Sequence, residues 1–182
     1  MAEDRFVIGV DVGTQSAKVM IFAASGEVVA EGHQALRPLE IPAPNRAVHP
    51  DDDLWDGVVA AIREAVAGFV ATGRDVASIE AMGICVIRCC RALLRADGTL
   101  AHPVINWMDE RLDHPYAHED QYGEISHVTT SSGYIGLRLT DERVDTSANL
   151  IGWWPVDDLT LDWSEDPDGW TSSVSYTHLT LP

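Results

Sequence analysis

Residues 6–22 place two apolar runs back to back, Phe6-Val7-Ile8-Gly9-Val10 and Val19-Met20-Ile21-Phe22, around the polar stretch Gly13-Thr14-Gln15-Ser16. Aromatic and β-branched residues on either side of a Gly-containing turn predict an antiparallel hairpin, which commits the chain to a sheet from its start. The turn chemistry also suits phosphate. Gly13 is expected to take a positive φ and to leave the main-chain amides open to phosphate oxygens. Thr14 and Ser16 add hydroxyl donors beside Gln15. Asp11, at the mouth of the turn, offers a hard oxygen ligand to Mg2+ or to its waters. Lys18 is the chain's single lysine, the eleven other basic residues being arginine. From spacing alone an ordinary hairpin with a solvated lysine remains open, because short motifs recur by accident.

The segments that follow fix the fold class as α/β. A third strand is predicted over 27–34 after the Ser25-Gly26 turn, then a Pro-rich loop. Over 51–72 the spacing Leu54, Val58, Ile62, Ala65, Phe69 lays one apolar stripe on a helix, with Asp51 to Asp53 favourable in its first turn and Gly73 placed to stop it. The apolar run 79–86 predicts a parallel strand buried on both faces. Arg91 to Arg95 with Asp97-Gly98 starts another hairpin.

Composition then narrows the function classes. A formal charge of -17 argues against nucleic acid and anionic membrane surfaces as partners. No apolar run approaches the length of a membrane span. Cys85, Cys89 and Cys90 are odd in number and crowded together, which is no disulfide framework, and Met1-Ala2-Glu3-Asp4 lacks the features of a signal peptide. Together these predict a cytoplasmic protein with one sizeable core.

Asp11-x-Gly13-Thr14-x-Ser16-x-Lys18 after an apolar strand resembles the first phosphate motif of the FGGY carbohydrate kinases, within the actin-like ATPase superfamily. The likeness continues in Pro50-Asp51 with Leu54-Trp55, in Trp107-x-Asp109-x-Arg111, in 133–140, and in Ser147-Ala148-Asn149. It covers about residues 5–170. The resemblance implies an RNase H-like domain over 5–172, its mixed sheet opening with three antiparallel strands and carrying helices on its faces. It implies ATP and Mg2+ as cofactors, a sugar or polyol as substrate, and transfer of the γ-phosphoryl group to a hydroxyl. Asp11, Gly13, Thr14, Gln15, Ser16 and Lys18 would then hold the nucleotide phosphates, with Asp11 meeting Mg2+ through water.

On the sugar side the resemblance points to Arg88 and Cys89, where relatives often carry Gln-Met-His or Gln-Arg-Glu and this chain has Ile87-Arg88-Cys89. Trp107 offers a flat apolar face, and Asp109 with Arg111 can either meet hydroxyls or pair with each other. No catalytic residue is assigned within the chain, since the family's general base is expected beyond residue 182. Another actin-like ATPase, or an inactive fragment, stays open, as does a homodimer for the full-length protein. Between Arg111 and Gly133 a solvated loop is predicted. Its His114, His118, Glu119 and Asp120 mimic metal spacing around Pro115. Cys89 and Cys90 are expected on opposite faces of one strand. Residues 173–182 resemble translated adapter sequence, a disordered tail being the alternative.

Overall fold

A computed structural model describes residues 5–113, 116–150 and 160. They group into two compact units, 5–38 with 53–87, and 39–52 with 88–150. The sequence reading takes 5–172 as one domain.

The first unit is a four-stranded sheet in the order β3-β2-β1-β4. Its strands are β1 (Phe6–Val12), β2 (Ser16–Ala23), β3 (Val28–Ala35) and β4 (Ile79–Val86). β1 pairs antiparallel with β2, β2 pairs antiparallel with β3, and β4 runs parallel to β1. Helix α1 (Asp53–Ala71) crosses one face and buries Leu54, Val58, Ala61, Ala65 and Phe69. Ile62 of the predicted stripe is half-buried, and Gly57 and Ala61 take the inner positions beside it. The fit at Gly32 of β3 is close: a Cβ there would lie 2.1 Å from the Ala61 carbonyl oxygen. At the helix start, the Asp53 carboxylate accepts from the Arg37 amide at 2.8 Å and from Arg37 Nε at 3.0 Å. Gly73, with φ +84°, ends the helix as predicted.

The expectation for β4 is half met. Its bounds and parallel pairing agree, but Ala81 to Cys85 are exposed, with Met82 at 43% and Ile84 at 38%. β4 lies at the sheet edge, and α1 packs mainly on β3 and β2, away from it.

The second unit is built on a three-stranded antiparallel sheet in the order β6-β5-β7. Its strands are β5 (Arg91–Leu94), β6 (Leu100–Ile105) and β7 (His127–Thr130). All four residues of the central β5 are buried. Asp97-Gly98 forms the predicted turn: the Thr99 amide donates to the Asp97 carboxylate at 3.0 Å, and Gly98 has φ +80°. β7 falls inside the stretch predicted as a loop. Helix α2 (Ser131–Thr140) is capped by the Thr130 hydroxyl, which accepts from the Gly133 amide at 3.0 Å, and buries Tyr134, Ile135 and Leu137. Asp145 ties the short helix α3 (Ser147–Leu150) to the start of α2, accepting from the Ser132 hydroxyl at 3.2 Å, the Thr146 amide at 2.8 Å and Asn149 Nδ2 at 2.7 Å. Among the described residues no helix is long and apolar enough to cross a membrane. The 173–182 tail, His114 and Pro115 lie outside the described residues.

Candidate functional site

The hairpin register assembles the phosphate-side candidates in the first unit. Asp11 on β1 stands opposite Lys18 on β2, so both side chains share one face of the sheet, and both are exposed. Neither forms an ion pair within the described residues. The loop between them is closed by the Gly13 amide donating to the Ser16 carbonyl at 2.9 Å, which leaves Thr14 and Gln15 as its tip. The Leu36 amide in turn donates to the Gln15 carbonyl at 2.9 Å, so the tip is anchored to the end of β3.

Two details differ from the sequence reading. Gly13 does not have a positive φ, and its amide closes the hairpin, so it is not an open donor. The pair Gly13–Ser16 already satisfies the narrow hydrogen-bonded position of a two-residue loop, which needs no left-handed residue at the glycine. What glycine supplies here is space. A Cβ at position 13 would meet only the Ser16 carbonyl oxygen, at 3.8 Å, so the face beside the tip is open to a ligand.

From Asp11 and Lys18 a groove of about 390 Å³ runs along the same unit, lined by Gly9, Met20, Phe22, Gly83 and Cys85 among others. Gly9 and Gly83 are register partners on adjacent strands, and their missing side chains leave its floor at backbone level. Nothing lies within 4 Å of a Cβ built at Gly83.

The sugar-side candidates belong to the second unit and are held quite differently. The chain leaves β4 at Val86, and Cys89 sits in a bend with φ +61°. The two adjacent cysteines are therefore not on a strand, as the sequence reading has them. A left-handed cysteine is a strained conformation, sustained by what surrounds it. Cys90 is buried, and burial pushes its thiol up to about 12, against hydrogen bonds from the Trp107 amide and with Ser131. Burial likewise raises the Cys89 thiol, with Arg88 opposing. Cys90 thus joins the Arg88-Cys89 bend to the Trp107 loop and to α2, a link that sequence patterning did not single out.

Trp107 and Met108 are 50% and 49% exposed, on a loop whose other residues are buried or bonded. Asn106, fully buried, donates its amide to the Ala47 carbonyl at 2.9 Å, accepts from the Met108 amide at 3.1 Å and lies 3.1 Å from His49 Nε2. Asp109 is 2% exposed, and both its oxygens are occupied. Oδ1 accepts from the Arg111 amide at 2.9 Å and from Arg111 Nε at 2.8 Å, while Oδ2 accepts from Arg111 Nη2 at 2.6 Å and from the Ala47 amide at 2.7 Å. Arg111 also donates to the Tyr122 hydroxyl at 3.0 Å. Burial pushes the Asp109 carboxyl up, but the Arg111 and Ala47 hydrogen bonds outweigh it and hold it below the usual carboxylate range. Of the two roles open to Asp109, this geometry supports the ion pair that shapes the loop.

Residues 6–134 match the FGGY family of carbohydrate kinases, N-terminal domain. The chain is 44% identical over 162 residues to the uncharacterized sugar kinase YgcE of Escherichia coli (strain K12), covering 89% of this chain and 32% of that protein. It is 26% identical over 174 residues to a glycerol kinase of Polaromonas naphthalenivorans (strain CJ2), covering 85% and 34%. The chain thus spans about a third of the length of these relatives. Among solved structures it superposes on a gluconate kinase from Lactobacillus acidophilus with a TM-score of 0.78 at 18% identity, covering 97% of this chain and 41% of that one. It also superposes on Plasmodium falciparum glycerol kinase with ADP, with a TM-score of 0.72 at 15% identity, covering 90% and 40%. The expected RNase H-like, actin-like fold is the observed one. The chain belongs to the FGGY family of carbohydrate kinases.

Proposed function

We propose that the chain is the amino-terminal part of an ATP-dependent, cytoplasmic carbohydrate kinase that transfers the γ-phosphoryl group to a hydroxyl of a sugar or polyol. The observation that carries this reading is the hairpin register, which sets an exposed carboxylate and an exposed ammonium group on one face of the sheet next to a turn left open by glycine.

The residues present fit a magnesium nucleotide. Lys18 is a compact cation for phosphate oxygens, the Thr14 and Ser16 hydroxyls and the Gln15 amide are donors at the tip, and Gly13 keeps a side chain out of the approach. Asp11 is an oxygen ligand suited to Mg2+ through its waters. Bound there, the metal would neutralise charge on the transferring phosphoryl group. The ADP in the Plasmodium falciparum glycerol kinase structure supports a nucleotide for this fold.

For the acceptor, Trp107 offers its exposed face to sugar C–H groups, while Arg88 and Cys89 offer donors. Asp109, bonded through both oxygens, acts on the acceptor by holding the Trp107 loop. The general base is assigned to no residue of this chain, since the one carboxylate among the sugar-side candidates is consumed by Arg111.

The reading is tested by coupled ADP release from the complete kinase across pentuloses, hexuloses, glycerol and tetritols. Acceptor-dependent release is expected. Steady release that no acceptor stimulates would instead identify an ATPase.

A further inference from the structure

The tip of the hairpin is tied down by the consecutive residues that end β3 and follow it. Ala35 is the register partner of Ser16, the Leu36 amide donates to the Gln15 carbonyl at 2.9 Å, and the Arg37 amide and Nε donate to Asp53 in the first turn of α1. The tie at Leu36 uses the side chain as well as the backbone. Leu36 is buried, and its Cδ2 occupies the space that Gly57 of α1 leaves open: a Cβ at position 57 would lie 2.3 Å from that methyl and 3.9 Å from the Ala17 Cβ on β2. The helix thus carries a residue of poor helix propensity where a methyl would collide with Leu36. Gly57 is a socket and Leu36 is its plug.

This anchor decides which edge of one peptide faces the approach to the tip. A trans peptide is planar and carries its C=O and N–H on opposite edges. With the Gln15 carbonyl held by Leu36 on the β3 side, the Gln15–Ser16 peptide turns the Ser16 amide away from β3, toward the Gly13 side of the turn. The hydrogen bond that closes the loop does not fix this plane, because it uses the amide of the 12–13 peptide and the carbonyl of the 16–17 peptide. Reversed, the 15–16 peptide would offer an anion its negative carbonyl end in place of a main-chain donor.

We infer that Leu36 is a positioning residue for the nucleotide: seated in the Gly57 socket, it holds the Gln15 carbonyl back so that the Ser16 amide faces the phosphate oxygens. The inference rests on the kinase reading above, in which the hairpin tip receives the nucleotide. Leu36 acts through the main chain and not by contact with the ligand, so α1 takes part in nucleotide binding from behind the sheet.

The test measures MgATP affinity of the complete kinase by calorimetry, with thermal melting alongside, for the wild type, Gly57→Ala, Leu36→Ala, Leu36→Met and the double variant Gly57→Ala with Leu36→Ala. Gly57→Ala puts a methyl where the Leu36 Cδ2 lies and should unseat it, while Leu36→Ala empties the socket without a clash, so the test stands even where Gly57→Ala folds poorly. Each is expected to weaken MgATP binding about two- to tenfold, the range of one net hydrogen bond, and to raise the MgATP KM with the acceptor KM nearly constant. Leu36→Met, which refills the socket with an unbranched chain, should keep wild-type affinity. In the Leu36→Ala background Gly57→Ala should weaken binding no further, because the methyl acts only through the side chain that has gone. Lower melting temperatures with unchanged MgATP affinity overturn the inference, leaving Leu36 as packing and the kinase reading standing. A further loss on adding Gly57→Ala to Leu36→Ala also overturns it, since the effect then bypasses Leu36. A wild type that binds no MgATP overturns the nucleotide assignment of the hairpin and this inference with it.

Discussion

The hairpin of the first unit and the 106–111 loop of the second present their side chains by opposite means. Asp11 and Lys18 are placed by strand register, the backbone ladder doing the positioning, so their charges remain exposed and unpaired. Trp107 is placed by side chains: Asn106 behind it is fully buried against Ala47 and His49, and Asp109 ahead of it is locked by Arg111. The difference teaches where each region can tolerate change. In the hairpin, Asp11 and Lys18 are exposed and form no ion pair among the described residues, so replacing them is expected to leave stability nearly unchanged. In the loop, a carboxylate that looks available to a sugar belongs to the frame.

Removing that carboxylate should give the largest effect. Asp109→Ala leaves Arg111 buried without its counter-charge, and breaking a buried pair this way costs about 3–5 kcal/mol. Urea denaturation followed by tryptophan fluorescence should show it, and a loss below about 0.5 kcal/mol would mean the pair does not hold the loop. Next comes Gly32→Ala in the first unit, whose Cβ would meet the Ala61 carbonyl oxygen at 2.1 Å. Overpacking of this kind costs about 1–3 kcal/mol, and far-ultraviolet melting should register it.

Acid separates the same two regions. Because the folded Asp109 carboxyl lies below its usual range, its stabilisation is present above the unfolded value, about pH 4, and is lost as pH falls through the depressed folded value. The wild type should therefore lose stability below about pH 4 more steeply than Asp109→Asn, in which that titration is absent. Parallel acid curves would contradict the assignment. The smallest effect is expected in the hairpin, where Asp11→Asn and Lys18→Met should change stability by no more than about 0.5 kcal/mol in the same denaturation experiment.

The contrast also explains what could be read from the amino acids in order. β1, β2, β3 and β4 were legible because period-two patterning and a Gly-containing turn act over neighbours in the chain. The α1 stripe was legible for the same reason, apart from Ile62, where small Gly57 and Ala61 turn the buried face toward β3. The exposure of β4 was not, because burial on both faces depends on what covers a strand and its composition is silent on that. Nor was the fate of Asp109 decidable, since Ala47 lies sixty-two residues before it and contributes a backbone amide that no side-chain pattern announces. The Cys90 link was hidden likewise, as its partners are a main-chain amide and a serine on α2. At Gly13 the residue was legible and the conformation was not: its φ is not positive, and a Cβ there would make only an ordinary contact with the Ser16 carbonyl oxygen.

The most direct test is magnesium-ATP binding to the complete kinase by calorimetry, with Lys18→Met and Asp11→Asn compared with the wild type at equal thermal stability. Loss of charge-assisted contacts to phosphate should weaken binding about tenfold or more for Lys18→Met, with a smaller loss for Asp11→Asn that vanishes when Mg2+ is omitted. Identical affinities in all three proteins would contradict the assignment of the hairpin tip to the nucleotide phosphates.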